Sequence, residues 1–190
     1  LAEILDLENV PERIEIYDNS HIQGTNSVGA MVVSGLEGFI KNSYRKFNIK
    51  NLEMEQSASK NITENQKVFK DNSELIKPGD DYAMMRQVLH RRFTRAVNKD
   101  SQNGVMVWPD LVVVDGGPGQ LSSAMSVVRK LGIENIPFLA ISKGPDRNAG
   151  KERFHQPGKA PFSLPDNDPV LYYLQRLRDE AHRFAIETHR

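Results

Sequence analysis

The 190-residue sequence predicts an α/β domain on a mixed five-stranded sheet, three antiparallel strands followed by alternating helices and strands, flanked by helices. Three observations carry that reading. The first fifty residues hold three β-rich apolar segments joined by short connections, the pattern of an antiparallel meander. Residues 111–114 and 138–141 are wholly apolar runs, as in strands covered on both faces. Around them lie segments whose apolar residues recur at helical spacing.

Taken in order, Ile14-Glu15-Ile16-Tyr17 alternates in period two and ends at Asp18, which reads as a strand. Val28-Gly29-Ala30-Met31-Val32-Val33 is too continuously apolar for a half-exposed strand and reads as a buried one. Gly35 to Gly38 turns the chain, and residues 39–49 alternate again around Tyr44, Phe47 and Ile49. Residues 51–78 are rich in Asn, Ser, Lys and Glu without a steady period, and are expected to be a mobile insertion. Pro78-Gly79-Asp80 opens a helix with Asp80 as N-cap, its apolar side formed by Tyr82, Met85, Leu89, Phe93 and Ala96, with Arg91 and Arg95 elsewhere. The run 111–114 ends at Asp115, and Gly116-Gly117-Pro118-Gly119 breaks it before a helix through Leu121, Ala124, Met125, Val128 and Leu131. After the strand 138–141 and a Pro-rich loop at 157–165, a long helix runs from Asp168 to about Thr188, with Val170, Leu171, Leu174, Leu177, Ala181 and Ala185 as its stripe. This element order is that of the RNase H-like fold, an analogy that a site must support.

Composition narrows the function classes. The length suits one domain, residues 1–190, and a first residue of Leu1 instead of Met suggests a fragment of a longer protein. The absence of cysteine excludes a disulfide scaffold, a thiolate zinc site and a cysteine nucleophile. No apolar run approaches the ~20 residues of a membrane span and no signal-peptide pattern opens the chain, so a cytoplasmic domain is expected. Net charge is zero but unevenly placed. Residues 1–40 carry seven acids against one Arg, whereas 86–99 carry Arg86, Arg91, Arg92, Arg95 and Lys99 with no acid. Such blocks follow a phosphate backbone or simply face solvent, and charge alone does not decide between the two.

Several residues are candidates for chemistry. Asp18 and Asp115 stand at the carboxyl ends of expected strands, where open sheets face their ligand crevice. Carboxylates there suit Mg²⁺ or Mn²⁺, which can polarise a phosphoryl oxygen and activate water. Each alone is equally a turn-capping Asp; two on adjacent strands share one crevice. His182 flanks the apolar stripe of the last helix one turn after Arg178, where a neutral imidazole can ligate a metal or accept a proton. A lone helical His is also a common bystander. Asp81 lies in the first turn of its helix, where the helix dipole accounts for it. Lys143-Gly144, just past a strand, is a candidate phosphate contact, as is the Gly116–Gly119 turn, which is neither a P-loop nor a dinucleotide fingerprint.

Five blocks in order go further. Tyr17-Asp18-Asn19-Ser20-His21-Ile22-Gln23-Gly24, Gly79-Asp80-Asp81-Tyr82-Ala83-Met84-Met85-Arg86, Val114-Asp115-Gly116-Gly117-Pro118-Gly119-Gln120-Leu121, Ser142-Lys143-Gly144 and Gln175-Arg176-Leu177-Arg178-Asp179-Glu180-Ala181-His182-Arg183-Phe184-Ala185 resemble the C-terminal endonuclease domain of UvrC, the nuclease component of the ABC excinuclease. The resemblance implies an RNase H-like nuclease, dependent on Mg²⁺ or Mn²⁺, that cuts damaged double-stranded DNA 5′ of a lesion in bacterial nucleotide excision repair after UvrB has marked the site. It assigns Asp18, Asp115 and His182 to the family's Asp-Asp-His positions, with Asp18 and Asp115 as metal ligands. It also places Asp81 at a further acidic position tied to 5′ incision, which displaces the dipole reading. Lys143, Arg91 and Arg95 are the expected substrate contacts. Pro118 stands where many members have Lys, and residues 51–78 are longer than usual. The family's 3′-incision domain, UvrB-binding segment and helix-hairpin-helix tail have no counterpart in this sequence, so UvrB is expected to bind elsewhere in the full protein. The rival readings are a non-catalytic nucleic-acid or partner-binding module on the same fold, and a small-molecule phosphate enzyme using the Gly-rich turn.

Overall fold

The computed structural model describes residues 1–21, 27–49, 79–101, 107–144 and 151–187. The expected insertion at 51–78 lies outside them. Chain order is α1 (Ala2–Leu5), β1 (Arg13–His21), β2 (Ser27–Gly35), β3 (Gly38–Phe39), a 3₁₀ turn (Lys41–Ser43), β4 (Arg45–Asn48), α2 (Asp81–Ser101), β5 (Leu111–Asp115), α3 (Pro118–Leu131), β6 (Phe138–Ser142), β7 (Arg153–His155) and α4 (Pro169–Ile186). One sheet runs β3-β2-β1-β5-β6-β7, with β4 also paired to β2. β1, β5 and β6 are parallel, while β2, β4 and β7 pair antiparallel with their neighbours.

The mixed α/β class holds, with seven strands in place of five. The expected strand at 39–49 is split by the turn at Lys41–Ser43. Tyr44 and Phe47 are three positions apart, so in extended chain they face opposite sides, and they join different cores. β7 is the other addition, an antiparallel edge too short to show a period. β1 also runs past Asp18, because its antiparallel partner β2 continues to His21↔Ser27 while pairing with parallel β5 stops at Tyr17↔Val114.

The sheet divides two cores. On one face Tyr17, Met31, Val33, Phe47, Val112 and Val114 pack against α2 and α3. On the other Ile14, Ile16, Val32, Leu111, Val113 and Ile141 pack against α1 and α4. Helix boundaries follow local chemistry. Asp80 accepts the Ala83 amide at 2.9 Å, capping its helix as the sequence predicts, and Asp168, where the last helix is expected to start, accepts that of Val170 at 2.8 Å and caps it too. Gly132 ends α3 in the left-handed conformation. Tyr82 departs from its expected place on the apolar stripe: it is half exposed, and its phenol tip lies where a side chain on Gly119 would collide with it.

One member of the basic block is internal. Glu15 is fully buried within the sheet, and its carboxylate accepts from Arg92 at 2.7 Å, Arg13 at 3.1 Å and the Tyr17 hydroxyl at 2.6 Å. Arg92 also donates to the Val107 carbonyl at 3.0 Å, so it ties α2 both to β1, through Glu15, and to the segment before β5. Arg92 therefore neutralises a core carboxylate and does not face phosphate. Arg92→Met leaves Glu15 with only Arg13 as counter-charge and should cost about 3 kcal/mol in urea unfolding. Adding Glu15→Gln should recover most of that loss; a single-variant loss below about 0.5 kcal/mol would contradict this account.

Candidate active site

The site begins with a register. β1 and β5 pair as Ile14↔Leu111, Glu15↔Val112, Ile16↔Val113 and Tyr17↔Val114, so the next step sets Asp18 beside Asp115. Side chains alternate in period two, which places both carboxylates on the face of Ile14, Ile16, Leu111 and Val113, the face that α4 covers. Gly116 then turns the chain at φ 146°, in the region that favours glycine.

α4 brings the histidine to the same level. Leu171, Leu174, Leu177, Ala181 and Ala185 bury its stripe against the sheet. Near its start the Tyr173 hydroxyl lies 3.3 Å from Ser34 Oγ, whose residue pairs with Ile14. Nine residues of helix from Tyr173 to His182 rise about 13.5 Å, and four residues of strand from Ile14 to Asp18 rise about 13 Å. The two lengths match, and His182 Nδ1 lies 3.0 Å from Asp18 Oδ2. An ionised carboxylate only accepts, so Nδ1–H donates to Asp18 and Nε2 presents its lone pair outward. The imidazole is 63% exposed, whereas the Asp18 side chain is 9% exposed.

Burial above all pushes the Asp18 carboxyl up from its ordinary value, against the hydrogen bond and charge of His182 that pull it down. Burial, then the neighbouring Asp18 charge, pushes Asp115 up to about 6, while Arg178, His182 and Lys143 pull it back. A buried Asp18 and a partly buried Asp115, the second raised further by the charge of the first, form a negative site that a cation would relieve. Among the described residues no group of three or more His, Cys, Asp and Glu side chains is arranged to hold an ion alone. Two hard oxygen donors completed by water and a phosphate oxygen fit Mg²⁺ or Mn²⁺.

The other expected residues are placed as follows. Lys143 is exposed just past β6, its charge reaching Asp115. Asp81 begins α2, on the helix layer of the opposite sheet face. Its side chain is exposed, and its backbone carbonyl accepts from Asn19 Nδ2 at 3.3 Å, next to Asp18 in the chain. Arg91 donates to the Asn48 carbonyl at 2.8 Å and lies over the Phe47 ring, while Arg95 is exposed. Sequence reasoning missed two residues near the carboxylates. Arg178 had a signal, its four-residue spacing from His182; Glu152, buried just before a three-residue strand, had none.

A profile of the UvrC RNAse H endonuclease domain matches residues 2–186. The chain belongs to the UvrC RNase H endonuclease domain family. It is 53% identical to UvrABC system protein C of Sphingopyxis alaskensis over 190 residues, all of this chain and 26% of that protein. With the Caulobacter vibrioides protein of the same name, identity is 52% over all of this chain and 26% of that protein. The chain thus spans about a quarter of the length of these curated UvrC relatives. Endonuclease V of Ciona intestinalis overlaps with a TM-score of 0.40 at 12% identity, over 90% of this chain and 56% of its own, too weakly to bear on the site. Assignment to the UvrC endonuclease domain agrees with the Asp-Asp-His blocks quoted above.

The raised Asp115 carboxyl has a consequence for stability. A folded-state pKa above the ordinary value of 3.8 means that the folded chain holds the proton more tightly, so the charged form costs stability above pH 6, a cost that disappears as pH falls towards 4. Asp115→Asn should therefore stabilise the metal-free protein by about 1–3 kcal/mol at pH 7.5, and the gain should fade below pH 6. Thermal melts with a chelator at pH 5 and 7.5 check this; a gain that grows at low pH would contradict it.

Proposed function

We propose that this domain is the divalent-metal-dependent nuclease that makes the 5′ incision in bacterial nucleotide excision repair, acting in the cytoplasm on damaged double-stranded DNA marked by UvrB, with Mg²⁺ or Mn²⁺ as cofactor. The observation that carries the reading is the 3.0 Å contact of His182 with Asp18. It gathers one imidazole and, through the strand register, a buried and a partly buried carboxylate at one open sheet edge. A binding module has no need of a carboxylate pair that burial disfavours.

The divalent ion, when bound, supplies Lewis-acid polarisation of the phosphodiester and of its attacking water. Asp18 and Asp115 would hold it. Asp18 also fixes the imidazole by accepting from Nδ1, which leaves Nε2 to take a proton from water during attack. Resemblance to RNase H-like nucleases implies products with a 3′-hydroxyl and a 5′-phosphate. Lys143 sits where it can meet a phosphate at the same edge. Arg91 and Arg95 of α2 would track the backbone further away, and Asp81 would act from the start of that helix.

Asp18→Ala, Asp115→Ala and His182→Ala should each abolish 5′ incision in the full-length protein with its partner present while leaving DNA binding nearly intact. Near wild-type incision by any of them would remove that residue from the chemistry. Metal uptake, and with it activity at limiting metal, should weaken as pH drops through about 6, where Asp115 of the metal-free chain takes up a proton. Replacing Arg91 and Arg95 together should weaken DNA binding and flatten its log–log salt dependence by roughly 0.9 per lost phosphate contact. An unchanged slope would make that face merely solvated.

A further inference from the structure

We infer that Arg178 is a built-in cation of this site, set between the Asp18–Asp115 pair and a third carboxylate, Glu152, and that it limits the site to one divalent ion. The inference rests on the metal-dependent reading above and deepens it.

The sheet places Glu152 with the other two acids. Asp115 pairs with Ile141, Ile141 with Phe154, and Ser142 with Arg153. Phe154 belongs to the α4-side core, so Glu152, two residues earlier in extended chain, is on that same face. Because β7 runs antiparallel to β6, going back from Phe154 to Glu152 moves toward the edge where β5 and β6 end. Asp18 and Asp115 sit at one level, and Glu152, which the register sets opposite residue 143, lies two strands over and two residues further out on the same face under α4. A third carboxylate at this edge, left uncompensated, would deepen the negative field of the pair and favour a further divalent ion.

Arg178 changes that. It lies one turn before His182 on α4, with its side chain 13% exposed, and donates to Glu152 Oε1 at 3.2 Å. Gln175, one turn earlier, donates to the other Glu152 oxygen at 3.1 Å. Glu152 is 2% exposed, and these partners, with its own backbone amide, hold its carboxyl below the ordinary value despite burial. Thus the third acid is engaged by fixed protein donors, and the guanidinium charge also acts on both Asp18 and Asp115. Arg178, paired with Glu152 and Asp179, is a positioning residue that acts on the carboxylate pair through its charge. A permanent cation at this place repels a second ion and holds back the affinity for the first.

Counting bound Mn²⁺ by electron paramagnetic resonance in the purified protein tests this without an activity measurement. Wild type should take up one ion. Arg178→Gln should bind its first ion at least about tenfold tighter and admit a second. Glu152→Gln leaves Arg178 with only the exposed Asp179 as a paired counter-charge, at 3.4 Å, and should bind Mn²⁺ more weakly. A purely structural ion pair predicts that both substitutions weaken binding, so weakening or no change in Arg178→Gln overturns the proposal. If that variant does not fold by circular dichroism, the charge-balanced Glu152→Gln/Arg178→Gln variant decides. It should bind one ion, more tightly than Glu152→Gln alone; any other result overturns the proposal. A wild-type protein that takes up no Mn²⁺ would instead defeat the metal-dependent reading itself, a separate result.

Discussion

The parallel pairing of β1 with β5 is the constraint on which the site depends. A slip of one residue in that register would move Asp115 to the opposite face of the sheet, away from Asp18 and from α4. The register is pinned at the opposite end from the carboxylates. Asp110 accepts the amides of Glu12 and Arg13 at 2.9 and 2.8 Å, and its own amide donates to the Arg13 carbonyl at 2.8 Å. From there the two strands run buried and apolar but for the arginine-paired Glu15, and sealed packing on both faces leaves no room to shift. The carboxylates emerge where that packing ends.

α4 is the second support, and it works at both of its ends. Its apolar stripe seats it along the sheet, and the Tyr44 hydroxyl donates to Glu180 at 3.0 Å while the Tyr44 and Phe184 rings meet edge to face at 5.0 Å. These contacts hold the turn that carries His182 against β4, so the imidazole meets Asp18 without being buried. An exposed ring with one nitrogen anchored and the other free is well placed for proton transfer at an open edge.

The placement of buried charge separates scaffold from site. Glu15 and Glu152 are both nearly inaccessible, and each is met by an arginine and further donors, so neither is left with an uncompensated charge. Asp18 and Asp115 are treated differently: burial raises both, the Asp18 charge raises Asp115 further, and His182 and Arg178, with Lys143 at Asp115, compensate only in part. Incompletely compensated carboxylates at an open sheet edge cost stability that a bound cation would offset.

Much was already readable in the chain. The wholly apolar runs at 111–114 and 138–141 determined covered central strands, because only strands buried on both faces dispense with polar alternation. Asp80 and Asp168 determined where two helices begin, because a cap acts on the amides two or three residues away. Asp18, Asp115 and His182 could be named as candidates from strand ends, helical spacing and the family blocks. Tertiary structure decided the rest. It alone set Asp18 opposite Asp115, because register is a property of two strands 97 residues apart in the chain. It turned Arg92 inward to Glu15 and Arg178 to Glu152, because whether an arginine meets water, phosphate or a buried acid depends on what lies across from it, and local spacing carries no record of that.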